Sequence, residues 1–191
     1  MKNKIVAVTG GIGSGKSAVV KYLAEKGYPT LDCDVLAREV ATRPNVIEQV
    51  RLLLGNDCIT PEGQLDRRAI RSRVFSDEKL LAQYSAIYFG EVKALLRDRV
   101  ALSGADSDLG AVFVEISVFN AFSFAWDEVW LIESDLNERR RRVAARDGVS
   151  EKDVDSIIAS QFICESYTLK IDNNGSIDDL KRNVDRALMT V

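Results

Sequence analysis

An α/β protein built on a parallel sheet flanked by helices is the fold class this chain predicts, and three observations predict it. Short, β-branched apolar runs recur at residues 5–8, 30–31, 111–116, 128–132 and 168–171, the pattern of strands buried on both faces. Amphipathic stretches of helical period lie between them. The first run passes without a break into the glycine-rich stretch Gly10-Gly11-Ile12-Gly13-Ser14-Gly15-Lys16-Ser17. Its spacing, G-x-x-x-x-G-K-S, is that of a phosphate-binding loop between strand and helix.

That spacing has a physical cause. Glycines admit positive φ and let successive N–H groups line one concave anion site, and the helix that starts there adds unpaired amides and its dipole. Lys16 is placed to reach the β- and γ-phosphates of a nucleotide, and the Ser17 hydroxyl to hold a magnesium ion between them. Gly11, Gly13, Ser14, Gly15, Lys16 and Ser17 are therefore the candidate nucleotide-binding residues. The alternative is a glycine turn that only joins strand to helix.

Length and composition narrow the chemistry. A chain of 191 residues with formal charge −3 is one domain with room for insertions; it lacks the basic excess of a dedicated nucleic-acid binder, so no nucleic-acid partner is expected. No apolar run reaches the ~18 residues of a membrane span, and Met1-Lys2-Asn3-Lys4 leads into a core strand rather than a signal peptide; the expected location is cytoplasmic. Cys33, Cys58 and Cys164 show no metal-ligand spacing and read as small buried hydrophobes. There is no histidine, which excludes imidazole bases and Ser-His-Asp or Cys-His mechanisms. Phosphoryl transfer, which depends on positioning and charge stabilisation, needs none.

Taken in order, the helix after the loop carries Val19, Val20, Leu23 and Ala24 on one side, and Gly27-Tyr28-Pro29 turns the chain into the second strand. That strand ends in Asp32-Cys33-Asp34. Carboxylates at the carboxyl end of a parallel strand, beside a phosphate loop, are candidates for a general base and for magnesium; the competing reading makes them caps of the helix starting near Val35.

Residues 35–104 are almost wholly helical in pattern and too long for a simple crossover, so they predict an inserted helical subdomain that closes over a second substrate. Val46, Val50, Leu53 and Leu54 form one stripe, stopped by Gly55-Asn56-Asp57, and Thr60-Pro61-Glu62-Gly63 is a turn. A short basic helix with Arg67, Arg68, Arg71 and Arg73 suits an anionic acceptor, or else is a solvated face paired with Asp66 and Asp77. Leu81, Tyr84, Tyr88, Val92, Leu95 and Leu102 mark a long helix, and residues 103–108 a linker.

After the third strand, Phe119, Phe122, Phe124 and Trp126 read as core or pocket wall. Arg139, Arg142 and Arg146, at i, i+3 and i+7, put three guanidiniums on one helix face, suited to phosphate, with Gly148 as a hinge; the plainer reading is a solvated charge run. Ser150-Glu151-Lys152-Asp153 reads as a capping box opening a helix that buries Val154, Ile157 and Ile158. Ser176-Ile177-Asp178-Asp179 caps the last helix, with core face Ile177, Leu180, Val184, Ala187 and Leu188. The domain reading is one unit: core 1–34, 105–135 and 165–191, insertion 35–104, and a lid with its following helix at 136–164.

Together, the glycine loop, Asp32-Cys33-Asp34 with Ala37-Arg38, Gly63-Gln64-Leu65-Asp66-Arg67-Arg68 with Val74-Phe75, Arg142 with Arg146-Asp147-Gly148, Gln161, and Asp172-Asn173-Asn174-Gly175 resemble the dephospho-coenzyme A kinase family. The resemblance implies a P-loop kinase fold with a five-stranded parallel sheet, a helical acceptor-binding insertion and an arginine lid. It implies transfer of the ATP γ-phosphate to the ribose 3′-hydroxyl of dephospho-CoA with Mg2+, by a monomer or small homo-oligomer. Carried over, Gly13 to Ala18 hold ATP, with Ala18 the last of them, and Lys16, Asp34 and Arg142 are catalytic, with Asp34 the base and, with Ser17, a magnesium partner. Arg142 and Arg146 are lid residues, Asn174 and Gly175 lie near the adenine, and Asp32, Asp34, Arg67 and Arg68 meet the acceptor. Two segments differ from the family pattern: Ile87-Tyr88-Phe89-Gly90 stands for its His-Pro pair, and Ile116-Ser117-Val118-Phe119-Asn120 for its Pro-Leu-Leu-Phe-Glu type segment. A kinase of another small molecule or nucleotide, and a non-catalytic ATP-binding protein, are the alternatives.

Overall fold

In the computed structural model, which describes all residues except 1, 2, 76, 106, 107, 149, 150, 160, 162 and 163, five strands form one parallel sheet. They are β1 Lys4–Thr9, β2 Thr30–Asp32, β3 Ala111–Glu115, β4 Glu128–Glu133 and β5 Leu169–Asp172, in the order β2-β3-β1-β4-β5. The chain leaves β1 for one side of the sheet and later returns to its other side, so β1 is the switch point beyond whose carboxyl end a ligand crevice forms. Register fixes what stands there: Val8 lies opposite Glu115 on β3 and opposite Trp130 on β4, and Asp32 lies opposite Glu115.

Alternate strand residues build the core. Val6 and Val8, Phe113, Trp130 and Ile132, and Ile171 share one sheet face with Val19, Val20 and Leu23 of α1 (Lys16–Glu25) and Leu180, Val184 and Ala187 of α8 (Ile177–Leu188). The ring of Phe113 is 5.0 Å from that of Trp130 and meets Tyr28 edge-on at 5.2 Å. Helix α8 starts with the expected capping box between Ser176 and Asp179, but its first residue, Ile177, is 55% exposed and outside the core.

The remaining helices are α2 Cys33–Val40, α3 Pro44–Leu54, α4 Arg67–Val74, α5 Glu78–Ala105, α6 Leu136–Asp147 and α7 Glu151–Ala159. The chain divides into two compact units, Met1–Asp32 with Val100–Val191, and Cys33–Arg99. Within the second, Val46, Val50 and Leu54 of α3, Ile70 and Val74 of α4, and Val92, Leu95 and Leu96 of α5 are buried. Residues 60–63 turn as expected, with Gly63 at φ +78° and its N–H donating to Thr60 O at 2.9 Å.

Several expectations are corrected. Leu81 and Leu102 lie on the exposed side of α5, because helical period selects a face and not the length of it that neighbours cover. The expected linker is helical through Ala105, and Gly104 O accepts from the Asn3 amide at 2.6 Å; residues 106 and 107 lie outside the described ones. In α7 Val154 is buried, but Ile157 is exposed, and the capping box at 150–153 rests on Ser150, outside the described residues. Asp66 and Asp77 pair with no basic-helix arginine among the described contacts: Asp66 caps α4 through the amides of Arg68 and Ala69, and Asp77 accepts from Leu80 N. The three cysteines are free and buried.

Leu23 is fully buried between α1 and the sheet. Leu23→Ala should therefore lower unfolding free energy by about 2–5 kcal/mol, the range for truncating a packed leucine, read from urea denaturation followed by circular dichroism.

Candidate active site

The site begins where β1 ends. Residues 10–15 form a loop in which Gly10, Gly13 and Gly15 have φ of +152°, +75° and +101°. All three are also required by close approach, a Cβ on Gly10 falling 2.3 Å from Ile132 O. A Cβ on Gly13 would lie 2.6 Å from Arg139 O and 2.9 Å from Val143 Cγ2, and one on Gly15 would run into the Asn173 amide. Gly15 is the N-cap of α1 and supplies no side-chain cap, which leaves the first amides of that helix directed at whatever occupies the loop.

The loop is shaped by capture of its carbonyls. Lys16 Nζ, on a residue only 8% exposed, donates to Gly10 O at 2.9 Å and Gly11 O at 3.3 Å. Arg139 Nε donates to Ile12 O at 2.9 Å and Arg142 to Gly13 O at 3.4 Å. Asn173 Nδ2 donates to Ser14 O at 2.8 Å, with the Ser134 hydroxyl 3.2 Å from the same oxygen. Gly15 O takes the amides of Ala18 and Val19. Six consecutive carbonyls thus have donors outside the concavity. Because a peptide's N–H and C=O point in roughly opposite directions, turning the oxygens outward aims the free amides inward.

The supports are themselves tied together. Ser134 and Asn173 are buried at the carboxyl ends of β4 and β5. Arg142 donates to Ser134 Oγ at 2.9 Å and to Asn173 O at 2.8 Å. Gln161 Oε1 accepts from Ile12 N at 2.8 Å and from Arg139 at 3.3 Å, so the Ile12 residue is gripped at both its N–H and its C=O. Burial pulls the Arg139 pKa down, against the carboxylate of Glu133. Ser14 Oγ is the one buried side-chain polar atom among the described residues without a hydrogen-bond partner.

At the mouth of the loop, the exposed Ser17 hydroxyl donates to Glu115 Oε1 at 2.7 Å. Glu115 closes β3, and its position opposite Val8 on one side and Asp32 on the other places a carboxylate at the loop that its distance in sequence conceals. Asp34 belongs to the other compact unit, in the first turn of α2. There it acts electrostatically on Tyr88, whose phenol is held above its ordinary pKa mainly by burial, with Arg67 opposing and Asp34 reinforcing the shift. Arg67 and Arg68 are exposed at the start of α4.

Several expected residues fall elsewhere. Arg146 is not at the loop: its guanidinium pairs bidentately with the adjacent Asp147, at 2.7 Å for both bonds, and its side chain is 62% exposed. Asn174 uses its amide oxygen to hold the Asp135 N–H at 2.7 Å, and Gly175 stands against the Asp179 carboxylate. Arg139 stands at the loop with Arg142, as the i, i+3 spacing expects, and Asn173 and Gln161, quoted for the resemblance, brace the loop. Glu115 and Ser134 are the site residues that the sequence reading did not single out, and strand-end position was the available signal for both. The aromatics Phe119, Phe122, Phe124 and Trp126 line an open cavity of about 630 Å³ with Val129 and Cys164, a pocket wall rather than core. Among the described residues no three His, Cys, Asp or Glu side chains gather as a metal cluster, and no helix is long and apolar enough to cross a membrane.

Asn173→Ala removes the donor beneath Ser14 O and should weaken nucleoside triphosphate binding about tenfold, the cost of one lost buried bond, measured by titration calorimetry on folded protein.

Comparison with known proteins agrees with this geometry. The dephospho-CoA kinase family model matches residues 4–179. A dephospho-CoA kinase of Thermus thermophilus is 36% identical over 192 residues, covering 96% of this chain and 90% of the relative. One of Fusobacterium nucleatum is 29% identical over 196 residues and covers both chains fully. A crystal structure of a Thermus thermophilus protein superposes with TM-score 0.82 at 32% identity, covering 100% of this chain and 99% of the other. A dephospho-CoA kinase from Campylobacter jejuni, at TM-score 0.61 and 20% identity over 98% of this chain and 96% of its own, shares the fold. With a glycine loop braced for a polyphosphate and a match running almost end to end, the chain belongs to the dephospho-CoA kinase family.

Proposed function

We propose that this chain transfers the γ-phosphoryl group of ATP to the ribose 3′-hydroxyl of dephospho-CoA. The observation that carries the reading is the braced loop at residues 10–17 in a chain of that family. The loop amides and the first turn of α1 receive the β- and γ-phosphates, and Lys16 reaches them from the loop's first carbonyls. Arg142, rather than Arg146, is the arginine within reach, and its guanidinium stabilises charge on the transferring group. Asn174 and Gly175 follow Asn173, which lies against Gly15, and this placement supports their contact with the nucleotide on its adenine side.

The unit Cys33–Arg99 is read as the acceptor side. It carries Arg67 and Arg68 for an anionic acceptor, with Asp32 at the sheet edge beside it in sequence. Asp34 takes the proton of the 3′-hydroxyl as that oxygen bonds to the γ-phosphorus. The bond to the β–γ bridging oxygen breaks, and ADP leaves with the electron pair. Ser17 and Glu115 together offer a hydroxyl and a carboxylate oxygen 2.7 Å apart, the hard donor set that suits Mg2+, with Asp34 as a further partner. Bound magnesium would offset charge on the phosphate oxygens.

Mixing the protein with ATP, Mg2+ and dephospho-CoA should release ADP and yield a 3′-phosphomonoester by phosphorus NMR. ATP binding without turnover, or turnover only with nucleosides, nucleotides or sugars, would overturn the reading. Asp34→Asn should lose about a hundredfold in kcat, the scale of a general base, with ATP affinity kept. Glu115→Gln should raise the magnesium concentration needed for half-maximal rate while leaving ATP binding without metal unchanged.

A further inference from the structure

Helix α2 has eight residues, too few to hold its own geometry in water, yet it carries Asp34. Its three apolar anchors Cys33, Leu36 and Val40 are buried. What fixes its polar side comes from α5. At the far end, Glu39 meets Arg99 at 3.2 Å, and just beyond the helix Arg43 meets Glu91 at 3.1 Å. These are half-exposed ion pairs, worth at most about 1 kcal/mol each. One turn from Asp34 the tie is different. The Tyr88 hydroxyl donates to Ala37 O at 2.5 Å, and Ala37 O also receives the Ala41 amide at 3.1 Å, so both lone pairs of that carbonyl are used. Tyr88 is itself immobilised, stacked on Tyr84 at 5.8 Å and edge-on to Phe89 at 5.6 Å.

We propose that Tyr88 is a positioning residue for phosphoryl transfer: through its hydrogen bond to Ala37 O it fixes the rotation of α2 and so aims the Asp34 carboxylate at the acceptor hydroxyl. Ala37 follows Asp34 by three residues and shares its side of the helix. The phenol lies within electrostatic reach of both Asp34 and Arg67, so the tie acts at the polar end of the unit. A carboxylate that must meet a hydroxyl proton within hydrogen-bond reach loses rate steeply when its support rotates.

The inference rests on Asp34 being the proton acceptor. The test compares wild type, Tyr88→Phe, which keeps the stacked ring and removes only the hydroxyl, and Arg99→Ala, which cuts the tie at the other end of α2. Tyr88→Phe should lower kcat with dephospho-CoA about five- to tenfold, with KM for ATP within about twofold and the thermal midpoint nearly unchanged. Amide exchange should quicken at residues 35–40 and not in the glycine loop. Arg99→Ala should keep kcat close to wild type. In an Asp34→Glu background, whose carboxylate is already displaced, loss of the Tyr88 hydroxyl should cost less than about twofold. Full activity of Tyr88→Phe, a loss confined to KM for ATP, an equal loss in Arg99→Ala, or the same factor in the Asp34→Glu background would each overturn the proposal. Absence of any dephospho-CoA-dependent turnover in wild type would instead overturn the functional reading beneath it.

Discussion

The whole active-site end of this protein depends on the outward capture of the six carbonyls from Gly10 to Gly15. A glycine-rich loop is the costliest backbone to order, at about 1–2 kcal/mol per residue and more for glycine, and the bond from Ser14 N to Gly11 O at 3.2 Å within the loop offsets little of that. The compensation comes from side-chain donors on three separate elements: Lys16 on α1, Arg139 and Arg142 on α6, and Asn173 at the end of β5, whose own carbonyl takes the Ser134 hydroxyl at 2.7 Å. Each removes one freedom from the loop. Together they leave its amides arranged for an anion before one arrives, so that binding incurs little reorganisation.

This arrangement gives the cations two roles. Lys16, Arg139 and Arg142 hold carbonyls, and in doing so they concentrate three positive charges around the polyphosphate site of a chain whose formal charge is −3. Arg146 shows the contrast. It lies one turn beyond Arg142 on the same helix, but the Asp147 carboxylate beside it satisfies its guanidinium in solvent. A helix face predicted from spacing is a set of directions; which side chains along it meet the loop is decided by where α6 crosses residues 12–14, at the contact of Gly13 with Arg139 and Val143.

The difference between what the sequence made legible and what it hid follows the range of the interaction. The glycine loop, Lys16 and Ser17 were readable because their chemistry is set by spacing within one segment, and the five strands were readable because burial on both faces leaves unbroken apolar runs. Glu115 was hidden because it meets Ser17 only through the β1–β3 register, 98 residues away in sequence. Ser134, and the bracing role of Asn173 within the quoted Asp172-Asn173-Asn174-Gly175 run, were hidden for another reason. Motif reading looks for groups that face a ligand, and these two face the loop's back. Ile177 and Leu102 failed in the opposite sense, having the right period at helix ends where no neighbour covers them.

The pair Asp32 and Asp34, separated in sequence only by Cys33, is divided by the fold. Asp32 ends β2 and is fixed by sheet register against Glu115; Asp34 opens α2 and belongs to the unit Cys33–Arg99. A carboxylate on a sheet strand is as rigid as the sheet. One on a two-turn helix is only as well placed as the contacts that hold the helix near it, and the one from α5 that lies nearest Asp34 is the Tyr88 hydroxyl on Ala37 O. The glycine loop and Asp34 therefore rest on different supports: backbone capture for the first, packing within the unit Cys33–Arg99 for the second. The donors to the loop carbonyls all lie in the unit formed by Met1–Asp32 with Val100–Val191, none of them on the α5 residues that hold α2.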